Sequence, residues 1–173
     1  MFSFNVILLV VSCAGLLTDA RSLKARHPSE TPESFNIYAY GDSISGLPVF
    51  YADGKAQLGS PKYSTAKVAE SVYFTTSSSA KTWVAHTGSD ETILSLPSSS
   101  GSVEFVSSSG FTATPATGFS VYGNYVMTDV TDLNFFAVPT DAKGVYSLVW
   151  SSGGDGCIPV ILRTIAPATE ANL

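Results

Sequence analysis

The chain has 173 residues, a formal net charge of −5 and only nine Lys and Arg, with 45% hydrophobic and 12% aromatic residues. This length fits one domain, because single domains typically run to about 100–200 residues. The few basic residues form no stripe that would neutralise phosphates, so we expect neither nucleic acid nor an anionic membrane as a partner.

Residues 1–20 have the composition of a secretory signal peptide. An apolar run covers residues 6–17, and Thr18 and Ala20 supply small residues ahead of a cleavage site after Ala20. The run is too short to span a bilayer, which takes about 20 apolar residues. We therefore expect a secreted protein, extracellular or associated with a cell wall, and not anchored in a membrane.

Cleavage at this site would leave a single cysteine, Cys157, because Cys13 lies within the predicted signal. An intrachain disulfide is then impossible, so the mature chain depends on packing for its stability. Cys157 is either a small buried apolar side chain or an odd thiol that reacts or pairs between chains. We expect it to be buried, and we expect a monomer.

Residues 21–34 form a polar arm with five charges, two prolines and no aromatic residue. Such a segment buries too little apolar surface to offset the entropy of ordering, so we expect it to be disordered. At the other end, residues 167–173 are predicted to form a flexible tail. The intervening residues 35–166 are predicted to form a single domain.

From Phe35 onward, short aromatic and β-branched runs alternate with Gly, Ser and Asp clusters at intervals of roughly 8 to 12 residues. This pattern predicts an all-β fold, a compact antiparallel β-sandwich or barrel. Turns are indicated at 53–54, 141–144 and 153–156, and residues 65–70 contain the only plausible helical turn. The predicted strands are 35–40, 47–52, 71–76, 82–86, 92–96, 102–106, 118–122, 125–127, 134–138, 145–150 and 157–165.

A weak internal repeat leaves a β-trefoil as the alternative architecture. An aromatic pair followed by a turn and a Lys recurs at Phe50-Tyr51, Tyr73-Phe74 and Phe135-Phe136. A trefoil needs three similar units, whereas these repeated segments are unevenly spaced. The sandwich or barrel therefore remains the first expectation.

The block Tyr40-Gly-Asp-Ser-Ile-Ser45 resembles the Gly-Asp-Ser motif of GDSL-type esterases, in which Ser43 would be the nucleophile. That family takes its base from a histidine near the C-terminus, and no histidine follows His86. A hydroxyl without an adjacent base is a weak nucleophile. We therefore interpret Asp42 and Ser43 as turn residues and expect no enzymatic activity.

The other polar residues offer little for catalysis or metal binding. Glu104 would be examined first in a hydrolase built on two carboxylates, although a solvated strand face is the favoured interpretation. We expect no cofactor and no metal: His86, interpreted as a strand residue, and Cys157 are too few ligands for zinc. Residues 129–132 lack the alternating oxygen ligands and the Gly of a calcium loop, so we interpret them as a loop cap.

Exposed tyrosines are the remaining candidates for ligand binding, because Tyr combines an apolar ring with a polar hydroxyl and stacks on sugar rings at a wet surface. Tyr122 and Tyr125 flank the Gly123-Asn124 turn and are the candidate ligand-binding residues. Tyr38 and Tyr40 should share one face of the first strand. Core or cross-strand packing is the competing interpretation for each of these tyrosines.

Four blocks of strand and turn residues carry a family resemblance. They are residues 35–41, 46–55, 144–150 and 159–163. In these blocks the chain resembles a family of small secreted fungal proteins without assigned activity. The resemblance implies a role in the cell wall or at a host interface, effector- or elicitor-like and a candidate for virulence, and it brings no catalytic residues.

Three functions follow in order of expectation. The first is a non-enzymatic extracellular protein that acts by surface binding, with a wall polysaccharide or an extracellular protein as its partner. The second is a carbohydrate-binding, lectin-like module that uses Tyr122 and Tyr125. The third is a hydrolase.

Overall fold

A computed structural model of the chain describes residues 34–76, 82–88, 90–107, 118–129 and 132–168. The signal peptide with its cleavage site after Ala20, nearly all of the arm and residues 169–173 lie outside the described residues, so these remain predictions. Within the described ranges, no helix is long and apolar enough to cross a membrane.

Short β-strands account for nearly all the regular structure, as the alternation of apolar and polar residues predicts. The strands are β1 (Tyr38–Gly41), β2 (Ile44–Ala52), β3 (Lys55–Leu58), β4 (Ala69–Ser71), β5 (Tyr73–Thr76), β6 (Trp83–Thr87), β7 (Asp90–Ser95), β8 (Gly101–Ser102), β9 (Glu104–Ser107), β10 (Phe119–Tyr122), β11 (Tyr125–Thr128), β12 (Asn134–Pro139), β13 (Tyr146–Ser151) and β14 (Ile158–Arg163). One 3₁₀ turn, Pro61–Tyr63, precedes β4. The all-β prediction is confirmed.

Six strands close an antiparallel barrel in the order β1-β2-β3-β13-β12-β14. The ring closes where β14 pairs with β1, from Tyr38 opposite Arg163 to Gly41 opposite Val160. Three barrel strands precede residue 59 and three follow residue 133. The described part of the chain therefore lacks the three similar units of the β-trefoil alternative, and the architecture is a barrel.

The middle of the chain packs around this barrel. Strands β9, β7, β6 and β5 form an outer sheet, which joins barrel strand β3 at the pair Lys55–Glu104. The β10–β11 hairpin joins β14 at the pair Tyr125–Arg163. Strands β4 and β8 extend the barrel at β2 and β13. The outer sheet and the β10–β11 hairpin thus form two separate surfaces on the outside of the barrel.

The larger of two hydrophobic clusters runs from the barrel interior to the underside of the outer sheet. Leu148 and Leu162 are fully buried inside the barrel. Under the outer sheet, the Trp83 ring stacks on Phe119 at 5.0 Å between centroids and meets Phe35 edge-on at 4.9 Å. The shared core therefore attaches the outer sheet to the barrel more firmly than one strand pair would.

The hairpin turns have the residues that the sequence indicates. Asp53 and Gly54 join β2 to β3 with φ values of 48° and 81°, and two positive φ angles are what a type I′ turn requires. Asp42 and Ser43 form the exposed turn between β1 and β2, where Ser43 has φ 59°. Their interpretation as turn residues is confirmed.

The predicted helical turn at 65–70 is wrong. The Asp53 carboxylate accepts hydrogen bonds of 2.9 Å from the backbone N–H groups of Lys67 and Val68, and Ala69 pairs with Ala52. These contacts hold residues 67–68 against the β2–β3 turn, and the chain continues as strand β4 and not as a helix. Strand β3 falls outside the predicted strands, because its four residues include neither an aromatic nor a β-branched side chain.

Cys157 is half-buried and not buried as predicted. It lies just before β14, where its backbone N–H donates to the Gly154 carbonyl at 3.2 Å. The side chain therefore belongs to a loop, and the inward-facing positions of β14 are taken by Val160 and Leu162.

Candidate functional site

A row of aromatic side chains crosses the outer surface of β10, β11, β14 and β1. Register places Tyr122 opposite Tyr125, Tyr125 opposite Arg163, and Arg163 opposite Tyr38. Directly opposed residues in antiparallel strands point to the same side of the sheet. Tyr40 projects from the same side of β1 as Tyr38, and we call these five residues the tyrosine face.

The β10–β11 turn brings the two predicted binding tyrosines together at the surface. Tyr122 is 81% exposed and Tyr125 is 44% exposed. Gly123 occupies the first of the two turn positions with φ 64°, a conformation that glycine adopts without strain. The two-residue turn places the rings on adjacent strands, next to each other and open to solvent.

Arg163 lies between two of the rings. Its guanidinium carbon is 5.0 Å from the centre of the Tyr125 ring and 5.5 Å from the centre of the Tyr40 ring, within cation–π range. The Tyr40 hydroxyl donates to the Ile165 carbonyl at 2.8 Å, which fixes that ring. Arg163 is therefore oriented by aromatic stacking.

Among the described residues, no hydrogen-bond acceptor contacts the Arg163 guanidinium. In the part of the chain that the structure describes, Arg163 has no carboxylate partner, and its Nε is buried without an acceptor. A guanidinium carries five N–H donors in a fixed plane. The tyrosine face thus combines exposed aromatic rings with unpaired donors, an arrangement suited to a ligand that has both apolar C–H faces and oxygen acceptors.

A second polar cluster lies on the outer sheet, and we call it the histidine face. It consists of Tyr73, Thr75, His86 and Glu91 on β5, β6 and β7. The Thr75 hydroxyl is 2.8 Å from His86 Nε2, and Glu91 Oε1 is 3.4 Å from His86 Nδ1. One tautomer satisfies both contacts, with Nδ1–H directed at Glu91 and Nε2 accepting from Thr75. The Tyr73 ring stacks on the imidazole at 4.7 Å.

The histidine face has the hydroxyl–imidazole–carboxylate order of an activated nucleophile. The hydroxyl partner of His86 is Thr75, whereas Ser43 lies in the β1–β2 turn. The sequence pattern predicts His86 on a strand but does not predict its partners, because a Thr in a strand is ordinary for β-propensity. Only the pairing of three strands brings these groups together.

The remaining predicted candidates stay apart. Glu104 is exposed and lies opposite Lys55 across β9 and β3. Asp129 and Asp132 are both exposed at the ends of the loop between β11 and β12. Among the described residues, no three His, Cys, Asp or Glu side chains group in a way that would hold a metal ion.

Two clefts accompany these surfaces. The first, of about 420 Å³, lies next to the tyrosine face between β11, β12 and β14, and we call it the β14 cleft. The second, of about 770 Å³, is bordered by Pro48, Tyr63 and Lys143. Of the two, the β14 cleft adjoins the predicted binding tyrosines, since Met127 and Ile161 line it two residues from Tyr125 and Arg163.

No family model, curated protein or solved structure matches this chain. The resemblance to small secreted fungal proteins stays a prediction. Conclusions about function therefore depend on the arrangement of the chain's own residues.

Proposed function

We propose that the protein is a secreted, non-enzymatic binding protein that holds a wall polysaccharide on the tyrosine face. The observation that carries the proposal is the single row formed by Tyr122, Tyr125 and Arg163, with exposed rings beside a guanidinium that has no hydrogen-bond partner among the described residues. The apolar run at residues 6–17 supports the extracellular part of the proposal.

The chemistry of the row matches that of a sugar chain. A sugar ring has an apolar face that stacks on Tyr and a rim of hydroxyls that accept from Arg. Strands in a sheet lie about 4.8 Å apart, so a row across four strands is roughly 14 Å long. That length suits an oligosaccharide better than a single sugar.

The purified protein should be tested on a glycan array that contains chitin, β-glucan, mannan and plant-wall oligomers, with soluble products analysed in the same wells. We expect binding that weakens about tenfold or more in Tyr122→Ala and in Tyr125→Ala, a loss of ~1.4 kcal/mol. Tyr73→Ala is the matched control, because Tyr73 is similarly exposed but lies on the histidine face.

Two results would contradict the proposal. Binding that both tyrosine variants leave intact would place the ligand elsewhere on the molecule. No binding to any glycan of the array would make an extracellular protein the partner to search for, with the tyrosine face as its contact surface.

Hydrolysis is the second candidate function, and the contact between Thr75 and His86 is the observation that favours it. His86 would take the proton of the Thr75 hydroxyl while Glu91 orients the imidazole. New soluble products in the array wells that disappear in Thr75→Val and His86→Ala would support this role. Products that persist in both variants, or wells without products, would exclude it for the histidine face.

A further inference from the structure

The β14 cleft forms where strand β14 changes its neighbour. β11 pairs with β14 at Arg163, and β12 pairs with it at Ile158 and Pro159. Between these points the two neighbouring strands diverge, and residues 160–162 form part of the cleft wall. The opening is therefore produced by sheet topology.

The cleft walls are mainly apolar, and they lead from the surface to the core. Phe135, Trp150 and Leu162 are buried residues in its wall, whereas Met127 and Ile161 are about half exposed at 50% and 56%. Exposed large apolar residues in a continuous patch commonly mark a binding surface. The described surface has eight exposed large apolar side chains. Five of them lie on β10, on β11, on β14 or just after β14.

The cleft opens onto the tyrosine face. Met127 follows Tyr125 by two residues on β11 and therefore projects from the same side. Ile161 has the same relation to Arg163 on β14, and it lies directly opposite Tyr40. A ligand on the tyrosine face would thus have the mouth of the cleft beside it.

One donor in the wall is unmatched. The indole Nε1–H of Trp150 is buried and has no hydrogen-bond acceptor among the described residues. Trp normally finds a partner for this group when it is buried.

We propose that the β14 cleft binds an apolar substituent of the glycan held on the tyrosine face, so that the ligand is a sugar carrying an alkyl, acyl or aryl group. This inference rests on the proposed function, because the sugar part lies on the tyrosine face. A cleft of about 420 Å³ falls in the range of small-ligand pockets, about 300–1,000 Å³. That volume is roughly the volume of one turn of an α-helix about 10 Å across, so the cleft cannot enclose a whole helix of a partner protein.

The experiment compares methyl and octyl glycosides of laminaribiose, N,N′-diacetylchitobiose and mannobiose, the disaccharide units of β-1,3-glucan, chitin and mannan. Affinities are measured by calorimetry below the micelle concentration, and Trp fluorescence, to which Trp83 and Trp150 both contribute, is followed in the same titrations. Each buried methylene raises affinity about fourfold (~0.8 kcal/mol), so burial of only two predicts an octyl-to-methyl affinity ratio above ten.

The double variant Met127→Ser/Ile161→Ser should lower this ratio at least severalfold, because it replaces the two apolar side chains at the mouth of the cleft. Val68→Ser is the matched control, since Val68 is an exposed apolar residue that does not line the cleft. Tyr122→Ala should lower the affinity for both glycosides while the ratio persists. Thermal melts of every variant establish that the fold is intact.

The outcomes separate this inference from the proposed function. Tyr122-dependent binding with a ratio near one, or a ratio that survives the double variant, would overturn the inference alone. A high ratio with glycoside affinities that Tyr122→Ala leaves unchanged would retain the cleft and overturn the proposed function. A dimer in sedimentation that the double variant dissociates would make the cleft a contact between copies. No binding of any glycoside would overturn both.

Discussion

The tyrosine face and the histidine face both carry exposed aromatic rings on antiparallel strands, yet they differ in what the polar groups contact. On the histidine face, Tyr73 stacks on His86, and the imidazole bonds Thr75 and approaches Glu91. On the tyrosine face, the Arg163 guanidinium has ring contacts but no acceptor in the described chain. One surface satisfies its own polar groups and the other leaves donors for a ligand.

This difference distinguishes a structural cluster from a binding surface more clearly than exposure does. Tyr73 and Tyr125 are almost equally exposed. Polar groups that already bond one another gain little from a ligand, because binding would exchange one set of hydrogen bonds for another. We therefore expect substitutions on the histidine face to change stability, and those on the tyrosine face to change binding.

The largest expected effect lies beneath the histidine face, at Trp83. Trp83→Ala removes a ring that packs against Phe35, Phe74 and Phe119, so we expect a loss of about 3–5 kcal/mol in the free energy of unfolding. Urea denaturation followed by circular dichroism measures it. Trp83→Phe, which keeps an aromatic ring, should lose clearly less, and equal losses would show that aromatic packing does not support this sheet.

Next in size is the effect of Arg163→Lys on glycan binding. Lys keeps the charge but lacks the planar guanidinium that lies between Tyr40 and Tyr125, so we expect binding to weaken about tenfold, or ~1.4 kcal/mol. Calorimetry with the glycan found on the array measures it. Unchanged affinity would mean that Arg163 contributes only its charge.

His86→Ala should cost about 1 kcal/mol of stability, because Thr75 loses its hydrogen-bond partner and Tyr73 loses its stacking partner. Glycan affinity should stay within twofold, since the residue lies on the other surface. Melting and calorimetry on the same preparation test both halves. A marked loss of affinity at normal stability would contradict the division between the two faces.

The smallest effect is expected at Asp53, in the turn of the β2–β3 hairpin, whose strand β3 pairs with β9 of the outer sheet. Hydrogen bonds from the backbone N–H groups of Val68 and Lys67 hold the pKa of the Asp53 carboxyl below its usual value. A lowered folded-state pKa stabilises the protein above the unfolded-state value of about 4, and this contribution is lost as pH falls through the folded-state pKa.

Asp53→Asn should therefore destabilise the protein slightly at pH 7. Because the wild-type carboxylate becomes protonated in acid, the difference between the two proteins should shrink below about pH 4. Urea titrations at pH 7 and pH 3 measure both differences. A constant difference across this range would show that the carboxylate charge does not contribute.

Local patterns in the sequence predicted the fold class and the candidate tyrosines. The alternation around Leu148 and Trp150 marks β13 as a strand with one buried side, and the Gly123-Asn124 turn places Tyr122 beside Tyr125. Both features depend on residues close together in the chain. They require only the two-residue period of a strand and a common turn.

Features that depend on distant pairing were not predicted. Arg163 joins the tyrosine face only because β14 lies between β11 and β1, and no local signal gives that strand order. Thr75 and Glu91 are similarly brought to His86 by the pairing of β5, β6 and β7. The β14 cleft is the clearest case, since it exists only where one strand exchanges partners.

Barrel closure by strands from both parts of the described chain has a consequence for folding kinetics. The hydrogen bond from Tyr40 to Ile165 joins residues 125 positions apart, and the β1–β14 ladder has the same long span. Contacts between residues so far apart in the sequence form slowly, because the chain loses loop-closure entropy before the contacts contribute favourable energy. During synthesis, β1, β2 and β3 must wait with one edge unpaired until β14 has emerged. The strand edges of this first segment are thus the part of the nascent chain most exposed to mispairing.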